Sequence, residues 1–239
     1  MRPKVLLSWS SGKDSAWTLH VLRGKGEVEV VGLLTTINAH FQRVAMHSTR
    51  RALVQAQAQA AALPLWEIPL PWPCKNEEYE LAMTRACVQA VEQGITAIAF
   101  GDLFLEDVRK YREDRLKGTG LLPIFPIWGL DTRQLIEEML DSGVRARIVC
   151  VDPKKLPEHF AGKDISRELL AQFPTGVDPC GENGEFHTFV YGGPMFTQDI
   201  PIQSGEIVNR DGFVFADVLS AVSAGEDQHQ LSHLGQALL

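Results

Sequence analysis

Several features that would settle the class of a 239-residue chain at once are scarce or missing. Cys74, Cys87, Cys150 and Cys180 are its 4 cysteines, and no two are spaced C-x-x-C. That excludes the usual zinc and dithiol redox motifs and points to reduced thiols. No apolar run approaches the ~18 residues of a membrane-spanning helix. The run before the first polar turn is too short for a secretory signal, so a cytoplasmic protein without a membrane partner is expected. Basic runs are lacking as well, and the formal net charge is −7. A general DNA partner is thereby disfavoured, because phosphate contacts supply most of such affinity. Neither G-x-x-x-x-G-K-[ST] nor G-x-G-x-x-G occurs, which removes the two commonest nucleotide loops. No internal repeat is present.

What remains is patterned like a folded enzyme. Hydrophobic residues at 45% and charged residues at 22% are those of a globular chain rather than a disordered one. Apolar runs at 4–9, 28–37, 65–70 and 95–101 read as buried strands. They alternate with helical patterns at 14–24, 48–63 (opening on a Ser/Thr cap), 76–94 (capped by Asn76) and 131–143 (capped by Asp131). The Pro-broken run 121–129 suits an edge strand, and 145–152 reads as the next strand of the same sheet. Such alternation predicts an α/β, Rossmann-like fold: a mostly parallel sheet with helices on both faces. After Asp152-Pro153 the pattern changes. Runs at 184–196 and 205–222, the latter turning at Asp211-Gly212, predict a smaller α+β subdomain with antiparallel strands. The expected division is 1–152 and 153–239, with the tail 223–239 either a short helix or frayed.

Ligands of such a sheet bind beyond the carboxyl ends of its strands. There the chain reads Ser8-Trp9-Ser10-Ser11-Gly12-Lys13-Asp14-Ser15. Small residues let backbone amides approach an anion, the helix N-terminus adds partial positive charge, and Lys13 adds a full one. Asp14 suits either Mg²⁺ binding or helix capping. A second cluster begins at the end of the fourth strand, where Gly101 permits close approach and Asp102 sits at the rim for a metal or ribose. Arg109 and Arg112 follow within a mixed-charge helix. A third, Glu182, Asn183, Glu185 and His187, precedes and enters a strand; Glu185 and His187 fall on one side of it. This set suits substrate binding, general-base work or a metal.

"SSGKDS" resembles the pyrophosphate loop S-G-G-x-D-S of the N-type ATP pyrophosphatases, with Ser11 in place of the first Gly. Together with "GDLFLEDVRKYREDRL" and "CGENGEFHTFV", in that order, it resembles the diphthine–ammonia ligase family over about residues 3–222. A segment at 43–65 is similar to that family's second helix, which brings a His, here His47, to the nucleotide side. The resemblance implies a nucleotide α-hydrolase-like domain and ATP with Mg²⁺ as cofactors. It also implies an AMP-forming ligase that adenylates an acceptor carboxylate for amidation by ammonia. Carried over, Ser10, Gly12, Lys13, Asp14 and Ser15 bind phosphates, with Ser8, Ser11 and Gly101 framing them. Asp102 lies by the nucleotide or Mg²⁺, and Lys13, Asp14, Asp102 and Glu185 carry catalysis. Arg109, Arg112, Glu182, Asn183, Glu185 and His187 face the acceptor. The chain departs from the family's G-E-G-G-E-[YF]-E-T at Asn183 and His187, on the acceptor side, and its length resembles a bacterial-type branch. Diphthine on an elongation factor and a small-molecule carboxylate are both open as acceptor, and a homo-oligomer is left open. A tRNA-modifying relative and a non-catalytic nucleotide-binding module are the alternatives.

Overall fold

The computed structural model describes residues 2–44 and 48–221. In chain order the elements are β1 Lys4–Ser8, α1 Lys13–Lys25, β2 Glu29–Asn38, β3 Arg43–Val44, α2 Arg51–Ala60, β4 Leu65–Leu70, α3 Asn76–Glu92 and β5 Ile95–Ala99. They continue with α4 Glu106–Leu116, β6 Leu122–Ile124, α5 Thr132–Asp141, β7 Arg145–Val151, α6 Arg167–Leu170, β8 Phe186–Gly192, β9 Ile202–Arg210 and β10 Phe213–Ser220.

Parallel pairings join β4 to β2, β2 to β1, β1 to β5 and β5 to β6, and the short β3 adds antiparallel to β2. The central strand β1 is apolar on both faces because both are covered. Val5 and Leu7 pack into one core with α1, α2 and α5, while Leu6 between them packs into another with α3 and α4. Leu33 and Leu34 divide in the same way, as the two-residue period of a strand requires. This is the α/β, Rossmann-like sheet expected from the alternation. The edge position of β6 also agrees with its prolines.

The strand at 145–152 is a correction. β7 leaves the parallel sheet and pairs antiparallel with β8 and β10 in a second, four-stranded sheet of order β8-β7-β10-β9. Its apolar sequence suits either sheet, because β7 is buried on both faces from Ile148 to Val151. The hairpin turn at Asp211-Gly212 is as read, with positive φ of 52° and 81°. Two caps differ from expectation. Lys75, not Asn76, caps α3, its backbone N–H donating to Glu78 Oε2 at 2.8 Å. Ser48 and Thr49 do not cap α2; Arg50 precedes it, and the Thr49 hydroxyl is used elsewhere. Asp131 does cap α5, accepting from the N–H groups of Arg133 and Gln134. His47 and the tail 223–239 lie outside the described residues.

Candidate active site at the first turn

The turn from β1 to α1 is fastened from three sides. Ser11 is fully buried and holds φ at 70°, a left-handed conformation that favours glycine. Its hydroxyl is hydrogen-bonded to that of Thr49 at 2.8 Å. Its carbonyl accepts from Val190 N–H at 3.0 Å and from Gln57 Nε2 at 3.0 Å. Gln57 also donates to the Val190 carbonyl and accepts from Trp9 Nε1 at 2.8 Å, so a buried glutamine is fully satisfied. The Lys13 N–H donates to Thr188 Oγ1 at 3.1 Å. Thus β8 of the second sheet lies across the loop. A Cβ on Gly12 would stand 3.2 Å from the Thr188 carbonyl oxygen. Within the turn, the Ser10 and Ser15 hydroxyls are 3.1 Å apart and Ser15 Oγ donates to the Gly12 carbonyl.

Lys13 is only 2% exposed. Its ammonium donates to both Asp14 carboxylate oxygens at 2.9 Å and to the Cys180 carbonyl, with the Phe186 ring 5.7 Å away. Burial works against its charge. Asp14 above all, with Cys180 and Glu182, outweighs that and holds the pKa above the ordinary lysine value. Cys180 is pushed up to about 12, first by burial, and so stays a thiol.

Gly101 brings the end of β5 against α1: a Cβ there would stand 2.9 Å from the Asp14 carbonyl carbon. Asp102 follows, with Arg112 Nε 3.6 Å from its Oδ2 and that guanidinium stacked over Phe100. Burial raises the Asp102 pKa; Arg112 opposes this and Asp14 adds to it. Glu182 reaches over from the second sheet's leading turn and accepts from Leu103 N–H at 2.7 Å. It is raised to about 7, first by burial, with the Leu103 N–H lowering it and Asp14 raising it further. The structure therefore gathers Lys13, Asp14, Asp102 and Glu182, which lie in three separate stretches of sequence.

Other anticipated residues stand around this group rather than in it. Glu185 is 3% exposed, and its Oε1 accepts from Asp178 N–H and from Asn183 Nδ2. It stitches the turn that carries Glu182. His187 is held below its ordinary pKa by burial first and by Lys13 second. Arg109 pairs with Glu113 and stacks over Phe125 and Trp128. Thr49, Gln57 and Thr188, which hold the loop, were not anticipated. Nothing separates Gln57 from Gln55 and Gln59 in "QAQAQA" except which face of α2 meets Trp9.

Beside the loop opens a cleft of about 570 Å³, walled by Ser8, Trp9 and Ser10, by Leu34 and Thr35 of β2, and by Tyr79 and Met83 of α3. Among the described residues, no group of three or more His, Cys, Asp or Glu side chains is arranged to hold a metal ion. Nor is any helix among them long and apolar enough to cross a membrane.

The architecture defines a Rossmann-like α/β protein whose first turn is an amide-rich, lysine-bearing loop crossed by a second, antiparallel sheet. Residues 131–222 match the family model described as diphthamide synthase C-terminal domain. The diphthine–ammonia ligase of Bos taurus is 26% identical over 247 residues, 91% of this chain and 89% of that protein. The Homo sapiens protein of that name matches at 26% over 248 residues with the same shares. That of Schizosaccharomyces pombe is 25% identical over 87% of this chain but only 37% of its own length. Over most of its length the chain is similar to diphthine–ammonia ligases, a class of ligases, and its C-terminal part matches the model of their C-terminal domain.

Proposed function

We propose that the chain is an ATP-dependent, AMP-forming ligase acting on a carboxylate. An acceptor carboxylate oxygen attacks the α-phosphorus of ATP and pyrophosphate leaves. Ammonia then attacks the acyl adenylate, AMP leaves, and an amide and a proton remain. The observation that supports this most is the gathering of Lys13, Asp14, Asp102 and Glu182 at the amide end of α1, beside a cleft of about 570 Å³. That volume suits a nucleoside.

In this reading Ser10, Ser11, Gly12, Lys13 and Ser15 hold the β- and γ-phosphates and stabilise the charge that develops on the leaving pyrophosphate. Ser8 and Gly101 leave room for it. Asp102 Oδ2 is buried without a hydrogen-bond partner, which fits it to hold Mg²⁺ together with the nucleotide's own oxygens. Asp14, whose carboxylate is gripped by Lys13, completes that pair. The cation would neutralise charge on the phosphates. Glu182, titrating near 7, takes the proton that the attacking ammonia sheds. Asn183, Glu185 and His187 keep its turn in place, and Arg112 orients Asp102. The nucleotide part is the parallel sheet with its helices, and the acceptor part is the antiparallel sheet, β7 included.

The test is product analysis with ATP, Mg²⁺, ammonium and candidate acceptors, diphthine and small carboxylates among them. AMP and pyrophosphate, one of each per amide formed, are expected. ADP and phosphate would overturn the reading. Lys13→Gln should lower the rate by about a hundredfold or more, with the fold checked by circular dichroism.

A further inference from the structure

One edge of the second sheet has no strand beside it among the described residues. In the order β8-β7-β10-β9, β8 lies across the phosphate loop, its Val190 N–H donating to the Ser11 carbonyl, and β9 is the opposite edge. β9 is 9 residues long and contains no proline and no lysine, the residues that commonly blunt such an edge. The one irregularity in its ladder falls between Ser204 and Ile207. Ile207 is 60% exposed and Val208 44%. A long, open and partly apolar edge is a template for a further strand.

The hairpin fixes how that strand must lie. Its turn has two residues, Asp211 and Gly212, both at positive φ, so the flanking Arg210 and Phe213 face each other as a hydrogen-bonded pair. Bonding alternates from there. Arg210 and Val208 turn their N–H and C=O groups toward β10, while Asn209 and Ile207 turn theirs outward. A second, antiparallel β9 has to match outward groups with outward groups, which leaves two-fold axes at Ile207, Val208 or Asn209. About Val208, each Ile207 meets the partner's Asn209, and Glu206 stands opposite the partner's Arg210 twice, with the two Val208 side chains between. Glu206, Val208 and Arg210 share one face of the strand and line one cavity. About Ile207 or Asn209, Glu206 or Arg210 would instead face valine. Only the Val208 register pairs the charges.

The two side chains are placed to do so. The Glu206 carboxylate has no ion-pair or hydrogen-bond partner among the described residues, and Arg210 is kept on this face by stacking over Phe215 at 4.8 Å and by Ser48 Oγ at 3.2 Å. Its pair with Asp211 is a long one, 3.8 Å.

We propose that the chain forms a two-fold dimer in which two β9 strands pair antiparallel about Val208, joining the second sheets of both copies. The phosphate loop sits at the β8 edge and is left uncovered, so the dimer stands independently of the ligase reading. An interface this short is weak, with a Kd of about 10–100 µM. Sedimentation velocity of the full chain below, across and above that range should show it passing from one chain to two. Glu206→Arg and Arg210→Glu should each weaken the dimer about tenfold, because each sets like charges opposite one another twice. Mixed in equal amounts, the two variants should associate like the parent, since the arginines of one then face the glutamates of the other at both positions. Both sites are on an exposed hairpin, and circular dichroism matching the parent checks the fold. Hydrogen exchange of the parent gives a reading that needs no variant: the Ile207 and Asn209 amides should slow about fivefold from dilute to concentrated protein. A chain that stays single at every concentration, a dimer that either variant leaves unchanged, a mixture no more associated than its components, or unchanged exchange at both amides would each overturn the proposal.

Discussion

Ser11 stands where the resembling loop motif has glycine, and its φ of 70° is the conformation for which glycine is suited. A serine there costs on the order of 1 kcal/mol, offset by its hydrogen bond to Thr49. Gly101 has no such latitude, because the atoms 2.9–3.0 Å from its would-be Cβ are backbone atoms of Asp14 and Ser15. Gly101→Ala should therefore push α1 away from β5. We expect about 1–3 kcal/mol lost in urea unfolding and at least a tenfold loss in titration with an ATP analogue. Glu182 gives a pH signature in the nucleotide-free protein. Its folded pKa of about 7 lies above the ordinary 4.5, so the folded state holds its proton more tightly. That contribution is complete below pH 4.5 and is lost as pH rises through 7. Glu182→Gln, which cannot titrate, should show a flatter decline of Tm across this window. An unchanged decline would mean that another group is responsible.

At the scale of elements, α2 does more than cover the sheet. Gln57 on its buried face joins Trp9, Ser11 and Val190, and so ties the end of β1 to β8. Gln57→Leu would leave the Trp9 indole N–H unpaired, strip the Val190 carbonyl of this donor and leave the Ser11 carbonyl with Val190 N–H alone, at a cost of roughly 2–3 kcal/mol. Gln59→Leu, two residues along on the exposed face, should stay within about 0.5 kcal/mol. Chemical denaturation of both variants checks the contrast. The helices and strands of the first half were legible because burial on both faces, caps such as Asp131 and terminators such as Gly143 are local signals. β7 was not assignable to its sheet, because strands buried on both faces look alike wherever they pair.

Across the whole molecule, the two sheets share one core. Val5, Leu7 and Ala97 of the parallel sheet belong to the same buried cluster as Ile148, Phe186 and Val214 of the antiparallel one. Loss of either sheet would expose the other's apolar face. Thermal unfolding should accordingly be a single transition, with far-ultraviolet circular dichroism and tryptophan fluorescence superimposing. A saturating ATP analogue should raise both midpoints together. Two separated transitions would show that the sheets are independent.

The chain's own order of residues determined the Rossmann-like class, the position of the loop at the first turn, and the three stretches that hold Asp14, Asp102 and Glu182. These are statements about period, spacing and residue type, which act within a few residues. Only the tertiary structure decided that β7 joins the second sheet, that Glu185 braces a turn, that Arg109 stacks over Phe125 and Trp128, and that Gln57 rather than its neighbours holds the loop. Each depends on which side chains and strands meet once the chain is folded. Burial and hydrogen-bond satisfaction settle such meetings, and no local pattern records them.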